Sequence, residues 1–423
     1  MIDKLLAEIA ILKVKKNSGN SSMNPASDLK PTAKTNLREK SGKKPGGQQG
    51  RKPGNLPKMS DAPDQNIQHR PTVCTACGKP LDGIQGSVAA RRQEIEVPQI
   101  SALVVEHQQM AVACTCGCNN LGTFPDGVAP GVQFGKSFEA LTAFLCTRHY
   151  IPVKRVQEIY KGMLGVSIST GAIGRLMRRM AKRCEAAYAD IKAEVKRAIY
   201  IGADETGAKV NGEKGWFWVW QTPTVTYIVF AMSRGFEVIE EHFPGGFPEA
   251  FLGHDSLAAQ FKTVAKAHQM CMAHILRELK WNIEAYKCKW SEQMYDAVNL
   301  AWKLKDALTP GQHGSHQQWV MDAEEHLTQS LTIDIPAKNK KSLSLKKRFI
   351  KKRDAVFQFL YHPEIPPDNN GSERAIRNVK VKQKVSTQFK SQQGAIDFAT
   401  IRSVIDTAIK QGRNVLDALR DAA

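Results

Sequence analysis

The sequence has no long apolar run, and it has too few acids to balance its basic residues. No stretch of 18 or more apolar residues is present, so no segment is suited to crossing a membrane as a helix. The first ten residues, MIDKLLAEIA, carry acids where a secretion signal would place basic residues before an apolar stretch. We therefore expect a cytoplasmic protein without a membrane partner.

The excess of basic residues is large and unevenly spread. Sixty Lys and Arg face 41 Asp and Glu, and the resulting formal charge of +19 attracts polyanions. Nine basic residues and one acid lie between Lys30 and Lys58, and nine basic residues with no acid lie between Lys338 and Arg353. Such clusters favour nucleic acid as the partner, and a generally basic, soluble surface is the plainer alternative.

The nine cysteines, an odd number, do not suit a set of disulfides in a reducing compartment. Five of them form two groups, Cys74-x2-Cys77 and the string CTCGC, on either side of a segment whose alternation of β-branched residues predicts strands. This order is typical of a structural zinc ribbon. The predicted zinc ligands are Cys74, Cys77, Cys114 and Cys116, with Cys118 in reserve. The isolated cysteines predicted to be small core residues are Cys146, Cys184 and Cys288.

The N-terminal 69 residues predict a helix and then a flexible arm. Ile2, Leu5, Ile9 and Leu12 alternate spacings of three and four, which is a coiled-coil seam two heptads long. The segment that follows is rich in Ser, Gly, Pro and Lys and has few apolar residues to bury. We expect a basic arm that contacts DNA, with a plain linker as the alternative. Its candidate DNA contacts are Lys43, Lys44, Arg51 and Lys52.

Residues 137–197 show the apolar period of helices, two of them joined by the Gly-containing turn MLGVSIST. Ser169 or Thr170 is placed to cap the second of the two, so a helix-turn-helix is plausible. Its basic face would carry Arg175, Arg178 and Arg179 to DNA. Structural packing of these helices between domains is the alternative. Beyond Arg197 the strings AIYIGADET, GWFWVWQ and TYIVFAM predict strands.

Three carboxylates occupy positions suited to metal chemistry. Asp204 ends the apolar strand AIYIGAD, Asp255 ends the short strand FLGHD, and Glu373 begins a helix after DNNGS. Rigid strands fix such oxygens in place, and hard oxygen ligands favour Mg²⁺ or Mn²⁺. Spacing alone does not select these three from 41 acids, because an Asp at a strand end is commonly a turn residue.

Several strings resemble, in order, the signatures of the insertion-sequence 66 family of bacterial transposases. They are KKNSGNSSMNPASD, KKPGGQQGRKPG, ADETGAKVNGEKGWFWVWQT, CMAHILREL, DNNGSERAIR and SVIDTAIKQGRNVLDAL, and they run from about residue 13 to the C terminus. The resemblance implies an α/β, ribonuclease-H-like DDE core with a helical insertion. It also implies a zinc-finger-like segment and a triad of Asp204, Asp255 and Glu373 that holds two Mg²⁺ or Mn²⁺ ions per active site.

The pattern and the resemblance together predict this organisation: a coiled-coil helix at 1–16, the basic arm at 17–69, the zinc-ribbon-like module at 70–125, the helix-turn-helix-like segment at 126–197, the core at 198–262 and 363–400, the helical insertion at 263–362, and C-terminal helices at 401–423.

The chain departs from the family's usual strings in two places. His254 stands where Ser usually precedes the second Asp, and Ser256 with Leu257 replaces Gly-Tyr after it. The RKN-like string after the Glu helix reads KQKVSTQFKS. Candidate phosphate contacts on and after that helix are Arg374, Arg377, Lys382 and Lys384, with solvated surface as the alternative.

Two further expectations concern neighbours of the triad. Cys271 and His274 share a helix face and are predicted to support the active site or to pack beside it. Glu205, next to Asp204 on a strand, should point away from it.

The expected function is DNA cleavage and strand transfer, acting on the terminal inverted repeats of an insertion sequence and on target DNA. We expect a homo-oligomer on DNA, associated with the nucleoid when active. The alternatives are a catalytically decayed, transposase-derived DNA-binding protein and a general ribonuclease-H-type nuclease. The latter does not account for the basic arm or the cysteine module.

Overall fold

The computed structural model describes residues 19–20 and 62–422. The chain divides into two compact units, Met1–Thr32 with Ala102–Ala423 and, separately, Ala33–Ser101. The predicted coiled-coil helix lies outside the described residues, as does almost all of the basic arm, with Lys43, Lys44, Arg51 and Lys52. None of the described helices has the length and apolar character needed to span a membrane.

The cysteine-containing segment has less sheet than the sequence predicts. In the smaller unit, the described residues contain one isolated antiparallel bridge, Val73 with Pro80. In the larger unit, β1 (Ala111–Ala113) pairs with β2 (Asn119–Leu121) as an antiparallel hairpin. The strands predicted for residues 91–110 are absent from this described segment. Its apolar side chains lie exposed, Leu103 at 88%, and an isolated strand without a buried face gains too little to form.

A five-stranded mixed sheet forms the centre of the larger unit. Its strands are β3 (Tyr200–Val210), β4 (Glu213–Gln221), β5 (Thr226–Ala231), β6 (Phe247–His254) and β7 (Ala265–Met270). The spatial order is β5-β4-β3-β6-β7. The first three strands are antiparallel neighbours, whereas β6 runs parallel to both β3 and β7.

Strand β4 is buried on both faces, as its unbroken apolar pattern predicts. Trp218 and Trp220 enter one core cluster, and Phe217 and Val219 enter another on the opposite face. Strand β4 forms an antiparallel hairpin with β5, as the string WFWVWQTPTVTYIVF predicts. At its turn the N–H of Thr222 donates to the carbonyl of Val225, and the N–H of Val225 donates to the Thr222 hydroxyl. A strand with two covered faces places the whole centre of the sheet in a dry environment.

Fourteen α-helices are described. They are α1 (Lys136–Ala143), which continues as a π-turn over Phe144–Arg148, α2 (Val153–Leu164), α3 (Thr170–Arg183), α4 (Glu185–Arg197), α5 (Phe236–His242), α6 (Ala258–Lys262), α7 (Met272–Tyr286), α8 (Lys289–Ala307), α9 (Gln318–Thr332), α10 (Lys340–Lys351), α11 (Gln358–Tyr361), α12 (Asn370–Ser386), α13 (Gln392–Lys410) and α14 (Val415–Asp421).

Helices α2 and α3 are joined by the short segment 165–169, where the sequence predicts a turn. The Ser169 hydroxyl accepts the N–H of Ala172 at 3.1 Å, so Ser169 is the cap of α3. Helix α3 packs against α1 and α13, with Ile173, Leu176 and Met180 buried. The same helix therefore has a buried packing face and an exposed basic face.

Helices α7 to α11 lie in sequence between β7 and α12 and have their own apolar core. The sequence predicts one apolar stripe here, Met294, Ala297, Val298, Ala301, Leu304 and Leu308. The first four are buried on α8, and the two Leu residues are partly buried. This core also includes Phe251 of β6 and Met270 of β7. The helical segment is therefore attached to the edge of the sheet through continuous apolar packing.

Helix α13 covers the other edge of the sheet. Hydroxyls of Ser403 and Thr407 accept backbone N–H groups of Ile228 and Thr226, at 2.9 Å and 3.1 Å. These contacts satisfy donors of β5, which would otherwise be an open strand edge. The helix runs across residue 400, where the sequence suggests a boundary between the core and separate C-terminal helices.

Candidate active site

Asp204 and Asp255 lie side by side because β3 and β6 are parallel neighbours. Gly202 of β3 and Gly253 of β6 form the last pair between these strands. Asp204 and Asp255 each lie two residues beyond that pair. Asp204 is inside β3 rather than at its end as predicted, because β3 continues along β4 to Val210 after β6 has left it. Carboxylate oxygens of the two Asp residues lie within 4.8 Å of each other.

Burial and like charge make the Asp204 carboxylate expensive to ionise. Its pKa is raised well above the ordinary value, first by burial and then by the negative charges of Asp255, Glu205 and Glu373. The N–H of Glu205 donates to Oδ1 of Asp204 at 2.8 Å and opposes this shift. A buried group of carboxylates that repel one another is suited to a divalent cation, which would offset the repulsion.

Glu205 does not point away from Asp204, so that prediction is wrong. Its carboxylate oxygen lies within 4.8 Å of those of Asp204 and Asp255. The pairing of β3 with β6 ends at Gly202, so no β6 residue pairs with β3 at Glu205. Arg234 donates to Oε1 of Glu205 at 2.6 Å and 3.0 Å. Oε2 of Glu205 is buried and hydrogen-bonds to no described residue.

Glu373 stands beside this group, in the first turn of α12. Its Oε1 accepts from Nη2 of Arg277 at 3.2 Å and lies 3.5 Å from Nδ1 of His274. Among the described residues its ligand oxygen is grouped with Cys271 and His274, not with the two aspartates. It is nevertheless near enough to raise the pKa of Asp204. The structure therefore joins two of the three predicted triad members directly and places the third alongside.

Asn369 fixes the start of α12 against the sheet. Its side-chain amide donates to the carbonyl of Ala203 at 2.7 Å, and its own N–H donates to Sγ of Cys271 at 3.2 Å. Ser372 donates to Oδ1 of Asn369 at 2.7 Å. Cys271 is buried, and its predicted supporting position is consistent with this contact. These bonds set the distance between Glu373 and β3.

His254 organises the turn that carries Asp255. The N–H of Ser256 donates to Nδ1 of His254 at 3.1 Å, so the ring proton is on Nε2 and is directed to Nδ1 of His268, also at 3.1 Å. His254 is fully buried, and burial lowers its pKa well below the usual value. Ser256 has a φ of 79°, a left-handed conformation that costs energy for any residue with a Cβ.

Replacement of Ser256 by Gly should stabilise the protein by roughly 0.5–1 kcal/mol. Relief of left-handed strain exceeds the extra chain entropy that Gly brings to the unfolded state. Thermal or denaturant unfolding would measure the change. The same substitution at Ser344, exposed within α10, should destabilise by a similar amount. A loss of stability in Ser256→Gly would contradict the strained turn.

The predicted basic contacts on α3 have different surroundings. Arg175 is exposed, and Arg178 lies 3.9 Å from Asp397 while remaining 66% exposed. Arg179 forms a 2.7 Å ion pair with Glu139, whose side chain is almost completely buried. Arg175 and Arg178 are therefore the more available of the three, and Arg179 also holds α3 onto α1.

On α12, sequence reasoning missed the lysine nearest the acidic group. Nζ of Lys380 donates to the carbonyl of Gly207 at 3.0 Å, and Asp204 is close enough to influence its pKa, which burial lowers. Lys380 follows Glu373 by seven residues, or two helical turns, and this spacing indicates that both lie on the same face of the helix. The predicted Lys382 is instead largely buried beside Cys146, and this burial lowers its pKa.

The remaining candidates on α12, Arg374, Arg377 and Lys384, are exposed.

The cysteines predicted to bind zinc form two tight turns. Gly78, at φ 69°, closes the first, and Gly117, at φ 89°, closes the second. The N–H of Cys77 lowers the pKa of Cys74, and the N–H of Cys118 lowers that of Cys116, which favours the thiolates that zinc requires. The smaller unit holds Cys74 and Cys77, and the larger holds Cys114, Cys116 and Cys118. The zinc site remains a prediction.

Fold and site together define a mixed α/β protein with a group of three neighbouring carboxylates on its sheet and a strongly basic composition. The description "Transposase IS66 family" belongs to the family model that matches residues 131–397, and the chain is a member of that family. The resemblance noted in the sequence is thereby confirmed. "Uncharacterized protein y4qI" of Sinorhizobium fredii (strain NBRC 101917 / NGR234) is 22% identical, over 82% of this chain and 69% of its own. The family implies transposition and DNA as the partner.

Proposed function

We propose that this transposase cuts and joins DNA at the ends of an insertion sequence through a two-metal centre held by Asp204, Asp255 and Glu373. The observation that carries the proposal is the juxtaposition of Asp204 and Asp255 on neighbouring parallel strands. Helix α12 brings Glu373 alongside them. In this arrangement strand β3 and helix α12 carry Asp204 and Glu373, and Asp255 lies on the turn directly after β6.

The residues present fit a divalent cation. The pKa of Asp204 is raised first by burial and then by the negative charges of the neighbouring acids, and Oε2 of Glu205 is buried without a described partner. Two Mg²⁺ or Mn²⁺ ions would supply activation of the attacking oxygen and stabilisation of the leaving oxygen in an in-line displacement. Oxygen ligands of this type suit those hard ions.

The side chains around the carboxylates have separate tasks in this proposal. Arg234 holds Glu205, and Arg277 holds Glu373, so neither acid is free to rotate. Lys380, on the helix face of Glu373 and near Asp204, provides a cation for a DNA phosphate. Water attack would release a 3′-hydroxyl at the element end, and that hydroxyl would attack target DNA without a covalent protein intermediate.

The sheet supports a ribonuclease-H-like core for this chemistry. Three antiparallel strands are followed by two parallel ones, with the first carboxylate on the central strand and the second at the end of its parallel neighbour. Helices α7 to α11 occupy the interval between Asp255 and Glu373, which suits the proposed helical insertion.

DNA binding is proposed for the basic faces outside the centre. On α12 the exposed residues are Arg374, Arg377 and Lys384, and on α3 they are Arg175, Arg178 and Arg179, the last of which also pairs with Glu139. The basic arm would add sequence-independent phosphate contacts. We propose a structural zinc ion for the cysteine module and a homo-oligomer on DNA, so that two element ends are held together.

Cleavage of a labelled duplex that carries a terminal repeat of the element tests the proposal. The wild-type protein with Mg²⁺ should release a 3′-hydroxyl end and join it to a second duplex, and a chelator should stop both steps. Specific binding with no cutting under the same conditions would favour the decayed, DNA-binding alternative. Cutting of any duplex with no joining would favour a general nuclease.

A further inference from the structure

A second cluster of metal-ligating side chains lies directly beside the acidic centre. Cys271 caps the N terminus of α7, His274 lies one turn further along, and Glu373 approaches from α12. The three ligand atoms lie within 4.8 Å of one another, with Nδ1 of His274 3.5 Å from Oε1 of Glu373. In the sequence, Cys271 and His274 lack further ligands, and only the fold brings Glu373 to them.

The surroundings of this cluster are those of a metal site rather than of packed side chains. Nδ1 of His274 is buried and hydrogen-bonds to no described residue, an expensive state for a ring nitrogen. Sγ of Cys271 accepts the N–H of Asn369 at 3.2 Å, a bond that opposes the burial by which the pKa of this thiol is raised to about 12. Among the described residues no hydrogen bond joins these three ligand atoms to one another, so an ion bound between them would displace none.

We propose that Cys271, His274 and Glu373 form a three-ligand site for a zinc-type divalent cation. One thiolate, one imidazole and one carboxylate are ligands that Zn²⁺ and Co²⁺ accept, whereas Mg²⁺ prefers oxygen. Metal–ligand bonds of about 2.0–2.3 Å require only a small approach of the three side chains. A fourth position remains for water. The site rests on the proposed function only in sharing Glu373 with the magnesium centre.

Sharing Glu373 makes the two kinds of metal compete. In the structure the Glu373 carboxylate contacts His274 and Arg277. A zinc-type ion stabilises this position of the side chain because it binds the same carboxylate. The magnesium centre then lacks its third carboxylate. Zinc-type ions therefore inhibit Mg²⁺-dependent cleavage, and higher Mg²⁺ relieves the inhibition.

Co²⁺ titration of the full-length protein tests the site, because a Co²⁺–thiolate bond gives a charge-transfer absorption band and four-coordinate Co²⁺ gives strong visible bands. Cys271→Ser and His274→Gln should each bind one equivalent fewer than the wild type. His274→Cys should restore that equivalent with a stronger thiolate band. Any Co²⁺ bound by the five cysteines of the N-terminal half is common to all variants and cancels in the difference.

Two variants serve as controls. Cys288→Ser, at another buried cysteine, should keep the wild-type stoichiometry, and Asp204→Asn should keep the Co²⁺–thiolate band of the site while losing DNA cleavage. An unchanged stoichiometry in both Cys271→Ser and His274→Gln overturns the proposed site. If the wild type binds this equivalent but does not cut DNA, the metal site stands and the proposed function fails. If it cuts DNA and binds no such equivalent, only the site fails.

Discussion

Replacement of Asp204 by Asn should abolish DNA cleavage and at the same time stabilise the metal-free protein. Loss of a carboxylate that lies against Asp255 removes the charge that binds the cation, so we expect activity to fall on the order of 10³-fold or more. Without metal, the same substitution removes a buried charge repelled by three other acids. We expect a gain of roughly 1–3 kcal/mol, within the usual range for single substitutions.

The stability gain should depend on pH in a defined direction. The folded-state pKa of Asp204 is raised above the unfolded value of about 3.9, so its ionisation costs stability as pH rises. The wild type and Asp204→Asn should therefore match most closely below about pH 4. Above that pH the variant becomes the more stable, by an amount that grows until the pH passes the folded pKa. Denaturant unfolding in the presence of a chelator would measure both curves.

Asp296, exposed on α8, provides the matched control, since its replacement by Asn should change neither activity nor the pH profile. Mg²⁺ should raise the unfolding free energy of the wild type and have much less effect on Asp204→Asn. An Asp204→Asn protein that still cuts DNA, or one that is less stable than the wild type at neutral pH, would contradict this description of the centre.

Replacement of Gly202 by Ala should destabilise the protein by about 2–3 kcal/mol and inactivate it as well. A Cβ at this position would lie 2.5 Å from Nε2 of Gln221, 2.7 Å from Oδ1 of Asn369 and 2.8 Å from Oγ of Ser372. Real Cβ contacts are essentially never so short, so the side chains of Gln221, Asn369 and Ser372 must shift, and we expect the last two to displace the start of α12. Glu373 would move with it, and its distance from Asp204 would increase.

Gly174, within α3, is the control for Gly202. A Cβ there meets nothing within 4 Å, and Ala is the better helix former, so Gly174→Ala should stabilise by roughly 0.5–1 kcal/mol. Unfolding curves and cleavage assays on the two variants would separate a close approach from a general effect of the added methyl group. Full activity in Gly202→Ala would show that the close contact between α12 and β3 is not needed to position Glu373 near Asp204.

Much of the sheet could be predicted from the sequence because its burial is unusually complete. The alternation of Trp and Phe on β4 indicates two covered faces, and the hairpin to β5 follows from the turn residues between the two strands. The pairing of Asp204 with Asp255 required the parallel register of β3 and β6, which no local pattern encodes. The two Asp residues were recognised as partners from the resemblance to the family's motifs, because local sequence pattern could not identify them.

Other features depend on where the chain goes in three dimensions. Glu205 joins the acidic group only because β6 leaves β3 after Gly202, and a period of two cannot reveal where a neighbouring strand ends. Residues 91–110 have the alternation of strands but no surface against which to bury it. The Cys271 and His274 cluster gains its third ligand, Glu373, from a helix about 100 residues away in sequence.

The choice between Glu373 and Glu205 as the third carboxylate is the most direct test of the central claim, because both lie close to Asp204. The measurement is Mg²⁺-dependent cleavage and joining of an element-end duplex by two charge-neutralising variants, Glu373→Gln and Glu205→Gln. We predict that Glu373→Gln loses activity on the order of 10³-fold, whereas Glu205→Gln, whose carboxylate is paired with Arg234, keeps at least roughly a tenth of it. An active Glu373→Gln together with an inactive Glu205→Gln would contradict the proposed triad.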